Sequence, residues 1–231
     1  QAVPDDRGSG GRRPAAWPSG HDAVSSALEE LLRHPALWRG GGFTAAPATV
    51  PTGFRRLDER LPGGGWPLSS LVEMLLPAAG VGEIRLLLPA LRALSAARPD
   101  EPRWIAWLGP PHLPYAPALA AAGLDPSRTL VIRPRAGLDL LWAMEQALRS
   151  GACAAVLGWV GAAGDQSLRR LSLAAGEGQS IAFLFRPLCH RSEASPAALR
   201  LLLAARDNGL DIEILKSRGG VPSRIDSLLI H

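Results

Sequence analysis

Lysine is almost absent from this chain. Lys216 is the only one among 25 basic residues, so the net charge of +4 comes from arginine. Arginine's planar fork suits phosphate and carboxylate partners. The same bias follows from a GC-rich coding sequence, which the abundance of Ala, Gly, Pro and Arg suggests, and a modest net charge does not choose between the two. Cysteine is scarce as well. Cys153 and Cys189 lie in apolar contexts without CxxC spacing, which argues against a disulfide framework and predicts reduced thiols in a cytoplasmic protein. His190 beside Cys189 offers two adjacent ligands, too few for a metal site. No run of about 18 apolar residues occurs, so no transmembrane helix is expected. The N-terminus has no apolar core of the secretory type, so export is not expected either.

What is present is an α/β pattern. With 231 residues, 47% of them hydrophobic, the chain can build one sizeable domain with flexible ends. Residues 1–20, rich in Gly, Pro, Arg and Ser, read as a disordered leader. Residues 21–44 read as an N-terminal helix and linker: Val24, Ala27, Leu28, Leu31 and Leu32 recur at helical spacing. Asp22 or Ser25 and Ser26 would cap its start, and Pro35 with Gly40 to Gly42 would end it. Residues 45–231 form the core. There "SLVEMLL", "RWIAWLG", "TLVIRP", "CAAVLGWV" and "SIAFLFRP" read as buried strands, separated by helical "RLLLPALRALSAA", "YAPALAAAG", "GLDLLWAMEQALRSG" and "QSLRRLSLAAGEG". "PAALRLLLAARDNG" fits helix or strand, and "LDIEILKSRG" and "IDSLLIH" close the chain as strands. Apolar strands alternating with helices predict a mostly parallel twisted sheet with helices on both faces.

The junction "LPAAGVGEIR", Leu76 to Arg85, has the strand–glycine loop–helix layout of a phosphate-binding loop. Gly80 and Gly82 could supply its turn, but Glu83 stands where the lysine belongs and Ile84 where a hydroxyl would hold magnesium. A carboxylate about 4 Å from a phosphate charge costs roughly 4 kcal/mol at an effective dielectric near 20, where lysine would gain as much. That swing exceeds what backbone hydrogen bonds return, at about 1 kcal/mol each. A catalytic acid after the second strand is also missing: Pro110, Pro111 and His112 are there instead. No acid follows the fourth strand near Gly158 or Trp159. His112 has no orienting partner in the sequence and reads as a surface or packing histidine. No catalytic residue, cofactor or metal is expected.

With these segments laid out, the chain resembles the RecA superfamily, and within it the ImuA branch of bacterial accessory factors for damage-induced translesion DNA synthesis. The resemblance runs from about Leu37 to His231. It rests on "PTGFRRLDERLPGGGWP", which resembles the "GxxxLDxxLPGGGxPxGxxxE" pattern of that branch with its glutamate at Glu73, on "GEIRLLLPAL", on "WIAWLGPPHLPYAPALAAAGLDPSRTLVIRP" and on "LWAMEQALRSGACAAVLGWV". It implies a RecA-like core without ATP hydrolysis, working through an ImuB-type relative of Y-family polymerases. RecA, a second copy of the chain and weakly held DNA are further implied partners. The same superfamily includes SulA-like division inhibitors that bind the tubulin-like division protein, so this is the competing function; a weak nucleotide-binding ATPase is the third.

Candidate contact residues follow. Leu28, Leu31 and Leu32 offer an apolar stripe that packs either on a neighbouring protomer or on its own core. Lys216, Arg218 and Arg224 gather around Gly219 and Gly220 as a partner dock or a solvated turn. Arg169, Arg170, Arg186 and Arg191 lie in the segments where RecA-like proteins carry DNA-contacting loops. Trp66, Trp142 and Trp159 could stack on bases, with core packing favoured for Trp142.

Overall fold

The computed structural model describes residues 48–97, 100–134, 137–207 and 209–230. The expected leader and the N-terminal helix with Leu28, Leu31 and Leu32 lie outside the described residues. The core opens with a two-residue strand, β1 (Thr49–Val50), a short helix α1 (Arg55–Asp58) and β2 (Trp66–Pro67), which pairs antiparallel with β1. Strands and helices then alternate: β3 (Leu71–Leu76), α2 (Glu83–Ala96), β4 (Trp104–Leu108), α3 (Ala116–Ala121), β5 (Thr129–Ile132) and α4 (Gly137–Arg149). They continue with β6 (Cys153–Trp159), α5 (Asp165–Glu177) and β7 (Ile181–Pro187), and end with β8 (Leu199–Arg206), β9 (Gly209–Ser217) and β10 (Ser223–Leu228).

Eight strands form one sheet in the order β10-β9-β8-β3-β7-β6-β4-β5. The run from β8 to β5 is parallel, while β9 and β10 add an antiparallel hairpin. Alternation of side chains gives each strand two apolar faces. On one face Val72, Met74, Ile105, Leu157 and Phe183 pack with Leu86, Leu87, Ala90 and Leu91 of α2. On the other, Leu71, Ala106, Val156 and Leu184 pack with Met144 and Leu148 of α4 and with Leu168, Leu171 and Ala175 of α5. The mostly parallel sheet covered by helices on both faces is therefore as the sequence reads.

The ambiguous "PAALRLLLAARDNG" resolves as strand. Leu199, Leu201 and Leu203 alternate into the α2-side core, while Arg200 turns to the opposite face. Two tryptophans are placed against expectation. Trp66, a candidate base-stacking residue, is fully buried edge-on to Phe183 at 5.6 Å, because the β1–β2 pair folds it under the sheet. Trp142, expected in the core, is 61% exposed on α4. Arg103 ties three strand starts together. Its guanidinium donates to the carbonyls of Gly151, Cys153, Gly178 and Gln179, ahead of or within β6 and β7.

Candidate functional site

The loop between β3 and α2 sits at the carboxyl end of the sheet, where open α/β folds place ligands. Gly80 and Gly82 adopt φ of +89° and +113°, left-handed values that favour glycine. Gly82 is constrained twice, since a Cβ there would lie 2.5 Å from Cδ1 of Ile230 in the segment that follows β10. Glu83 opens α2 and is only 3% exposed. Its carboxylate folds back on the loop: Oε1 accepts the Gly80 N–H at 2.8 Å and Oε2 accepts the Gly82 N–H at 3.1 Å. A helix N-terminus favours an anion, and its free amides are the groups that would face a phosphate. Here the chain supplies the anion itself. Glu83 thus does more than repel: it engages the donors.

Beside the loop lies a cleft of about 310 Å³. Its walls are Ile84, Leu88, Leu119 and the proline-rich turn Pro110–Tyr115, with Trp107 and Trp159 from the ends of β4 and β6. The two indoles stack at 5.8 Å and 20°, and Trp159 continues onto Phe185 at 4.6 Å. Both indole nitrogens, buried, lack a hydrogen-bond partner among the described residues. Leu113 and Tyr115 stand at 66% and 71% exposure. His112 is exposed on the lining, and Glu83 is the one carboxylate among the lining residues. At the end of β6, Gly158 is pressed against the Met144 side chain, which leaves no room for an acid there. This rim escaped the sequence reading, although three prolines in an unperiodic apolar stretch, "GPPHLPY", carry the signal.

The arginines proposed for DNA are engaged elsewhere. Arg186 is buried, with Nη1 on Glu73 Oε1 at 2.9 Å and Nη2 on Glu193 Oε2 at 3.0 Å, so it cannot meet a polyanion. Arg200 completes that cluster through Nε on Glu73 Oε2 at 2.7 Å. Arg169 pairs with Asp165, Arg170 with Glu145 and Arg191 with Glu213. Arg169 and Arg170 sit on α5 and Arg191 in the turn before β8, each held in an ion pair. Trp159 is held in its aromatic stack, leaving little of a base-stacking platform. His190 bonds Glu193 through Nδ1 at 2.8 Å, and this bond, helped by Arg186 and opposed by burial, holds the Glu193 carboxyl below its ordinary pKa.

Lys216, Arg218 and Arg224 all lie on the β9–β10 hairpin, Arg218 in its turn. Lys216 Nζ donates to the Ser195 carbonyl at 2.7 Å, and burial, then Arg218 and Arg200, lower its pKa. Arg224 pairs with Asp226 at 2.6 Å and with Asp211 at 3.2 Å. Arg218 is exposed, and its side chain has no ion pair among the described residues.

The family model for the cell division inhibitor SulA matches residues 77–182, from the loop through β7. The cell division inhibitor SulA of Edwardsiella piscicida is 36% identical over 143 residues, covering 62% of this chain and 73% of that protein. The chain belongs to the SulA family. Within it, the SulA of Photorhabdus laumondii is 32% identical over 116 residues, which is 63% of that protein. The crystal structure of SulA from Pseudomonas aeruginosa is 28% identical and covers 50% of this chain and 97% of that one, with a TM-score of 0.41.

This overturns the resemblance to the ImuA branch, and with it the translesion role and the ImuB-type and RecA partners. Three of the four segments behind that resemblance lie inside the SulA match. They report a shared core of loop, strands and helices and do not say which partner the core takes.

Proposed function

We propose that this chain is a non-enzymatic inhibitor of cell division that binds the tubulin-like division protein in the cytoplasm. The similarity to a named division inhibitor over 143 residues carries this reading. The site supports it: the loop amides are already occupied by Glu83, while the neighbouring cleft offers exposed apolar groups of the kind used in protein contact. No helix among the described residues is long and apolar enough to cross a membrane. The loop itself reads as a RecA-like nucleotide loop turned inward; its glycines and its place after β3 support that descent. Biolayer interferometry with immobilised division protein from the host bacterium tests the proposal. Saturable binding in nucleotide-free buffer is expected. Absence of binding into the high micromolar range would defeat it.

A further inference from the structure

The chemistry of the cleft specifies what it should receive. Arg85, Leu88 and Arg92 follow each other on α2 at helical spacing, so they share one side of the helix. Arg85 and Leu88 line the cleft, and the Arg92 side chain lies against Gly123, just beyond α3, whose Ala118 and Leu119 line it too. The two arginines give the α2 side of the cleft a cationic edge. Neither arginine has a carboxylate partner among the described residues, although most other described arginines in the core do. The lining's one carboxylate, Glu83, has both oxygens on loop amides. Between the arginines the walls are apolar, and Trp107, 3% exposed, and Trp159 carry indole N–H groups without acceptors. A buried unpaired donor is costly and uncommon.

We propose that this cleft is a receptor for an acidic protein segment: an apolar side chain enters between Leu88, Pro111 and Leu119, beside the stacked Trp107 and Trp159, and carboxylates on either side meet Arg85 and Arg92. The proposal deepens the inhibitor reading, on which it rests for the partner's identity, but the binding chemistry is tested without that partner. The probe is an eight-residue peptide, acetyl-Asp-Glu-Gly-Phe-Leu-Gly-Glu-Asp-amide, with its lysine-flanked counterpart as control. Binding is followed on the full chain by the indole ¹H–¹⁵N resonances, assigned with Trp107→Phe and Trp159→Phe.

The acidic peptide should move the Trp107 or Trp159 signal, leave buried Trp66 unmoved, and bind about tenfold more weakly at high than at low salt, as screening requires. Arg85→Glu and Tyr115→Ser should each weaken it at least about tenfold, the loss of one good contact, whereas Arg85→Lys should retain most of it. Equal binding of the lysine peptide, or unmoved cleft indoles at saturation, would overturn the proposal. The division protein separates the two readings. If it binds with both cleft indoles unmoved and Arg85→Glu is harmless, the cleft proposal falls and the inhibitor reading stands. If only the acidic peptide binds, the cleft proposal stands and the inhibitor reading falls.

Discussion

At Glu83 one side chain changes both the charge and the hydrogen-bond inventory of a loop. Its carboxylate accepts two backbone N–H groups at the positive end of α2, and bonds to a charged acceptor are worth about 1.5–3 kcal/mol each. Glu83→Ala should therefore lower stability by about 3 kcal/mol, measured by urea denaturation with the slope unchanged. An unaltered midpoint would show that the carboxylate does not hold the loop. The identity of this residue was legible in the sequence, as a missing lysine, and so was its electrostatic consequence. The turn of its side chain onto its own loop was not, because that depends on left-handed Gly80 and Gly82 bringing their amides round to it. Trp66 and Trp142 fail for different reasons. Trp66 sits in a glycine–proline stretch whose two-residue strand has no periodic signal, whereas Trp142 shares its side of α4 with Asp139, Gln146 and Arg149 at helical spacing, so the pattern turns it outward and its apolar character alone misled.

Elements were more readable than their neighbours. The buried parallel strands announce themselves as short continuous apolar runs, and the helices between them carry leucines at helical spacing. "LRLLLAAR" satisfies both periods, and only the sheet decides it: Arg200 must reach Glu73 across β3 while the odd-numbered leucines fill the α2-side core. Strand order was not readable, since the pairing of β3 with β7 and β8 depends on crossovers that local sequence does not encode. The β9–β10 hairpin makes an element-scale prediction. Asp211 accepts the Ser227 N–H at 2.9 Å and faces Arg206 and Arg224, and these contacts, the amide first, lower its pKa below the ordinary 3.8. A carboxyl with a depressed folded pKa contributes stability above the unfolded value, and that contribution is lost as pH falls through the folded value. Amide exchange at Ser227 should accordingly accelerate as pH drops below about 4, relative to neighbouring amides and after correction for intrinsic rates. In Asp211→Asn that acid step should vanish. A step of the same size in the variant would place its origin elsewhere.

For the molecule as a whole, chain pattern and fold agree, but the partner lay beyond local motifs. Membership in the SulA family rests on 36% identity over 143 residues to a relative of which the chain covers 73%, not on any single motif. On the proposed reading, a core whose loop amides are held by Glu83 acts without a nucleotide. That makes action by contact alone the central claim, and pelleting of division-protein polymers assembled with GTP tests it most directly. Adding this chain should reduce the pelleted polymer in proportion to its concentration, equally with and without ATP. Full pelleting at an excess of the chain, or inhibition that appears only when ATP is supplied, would contradict the account.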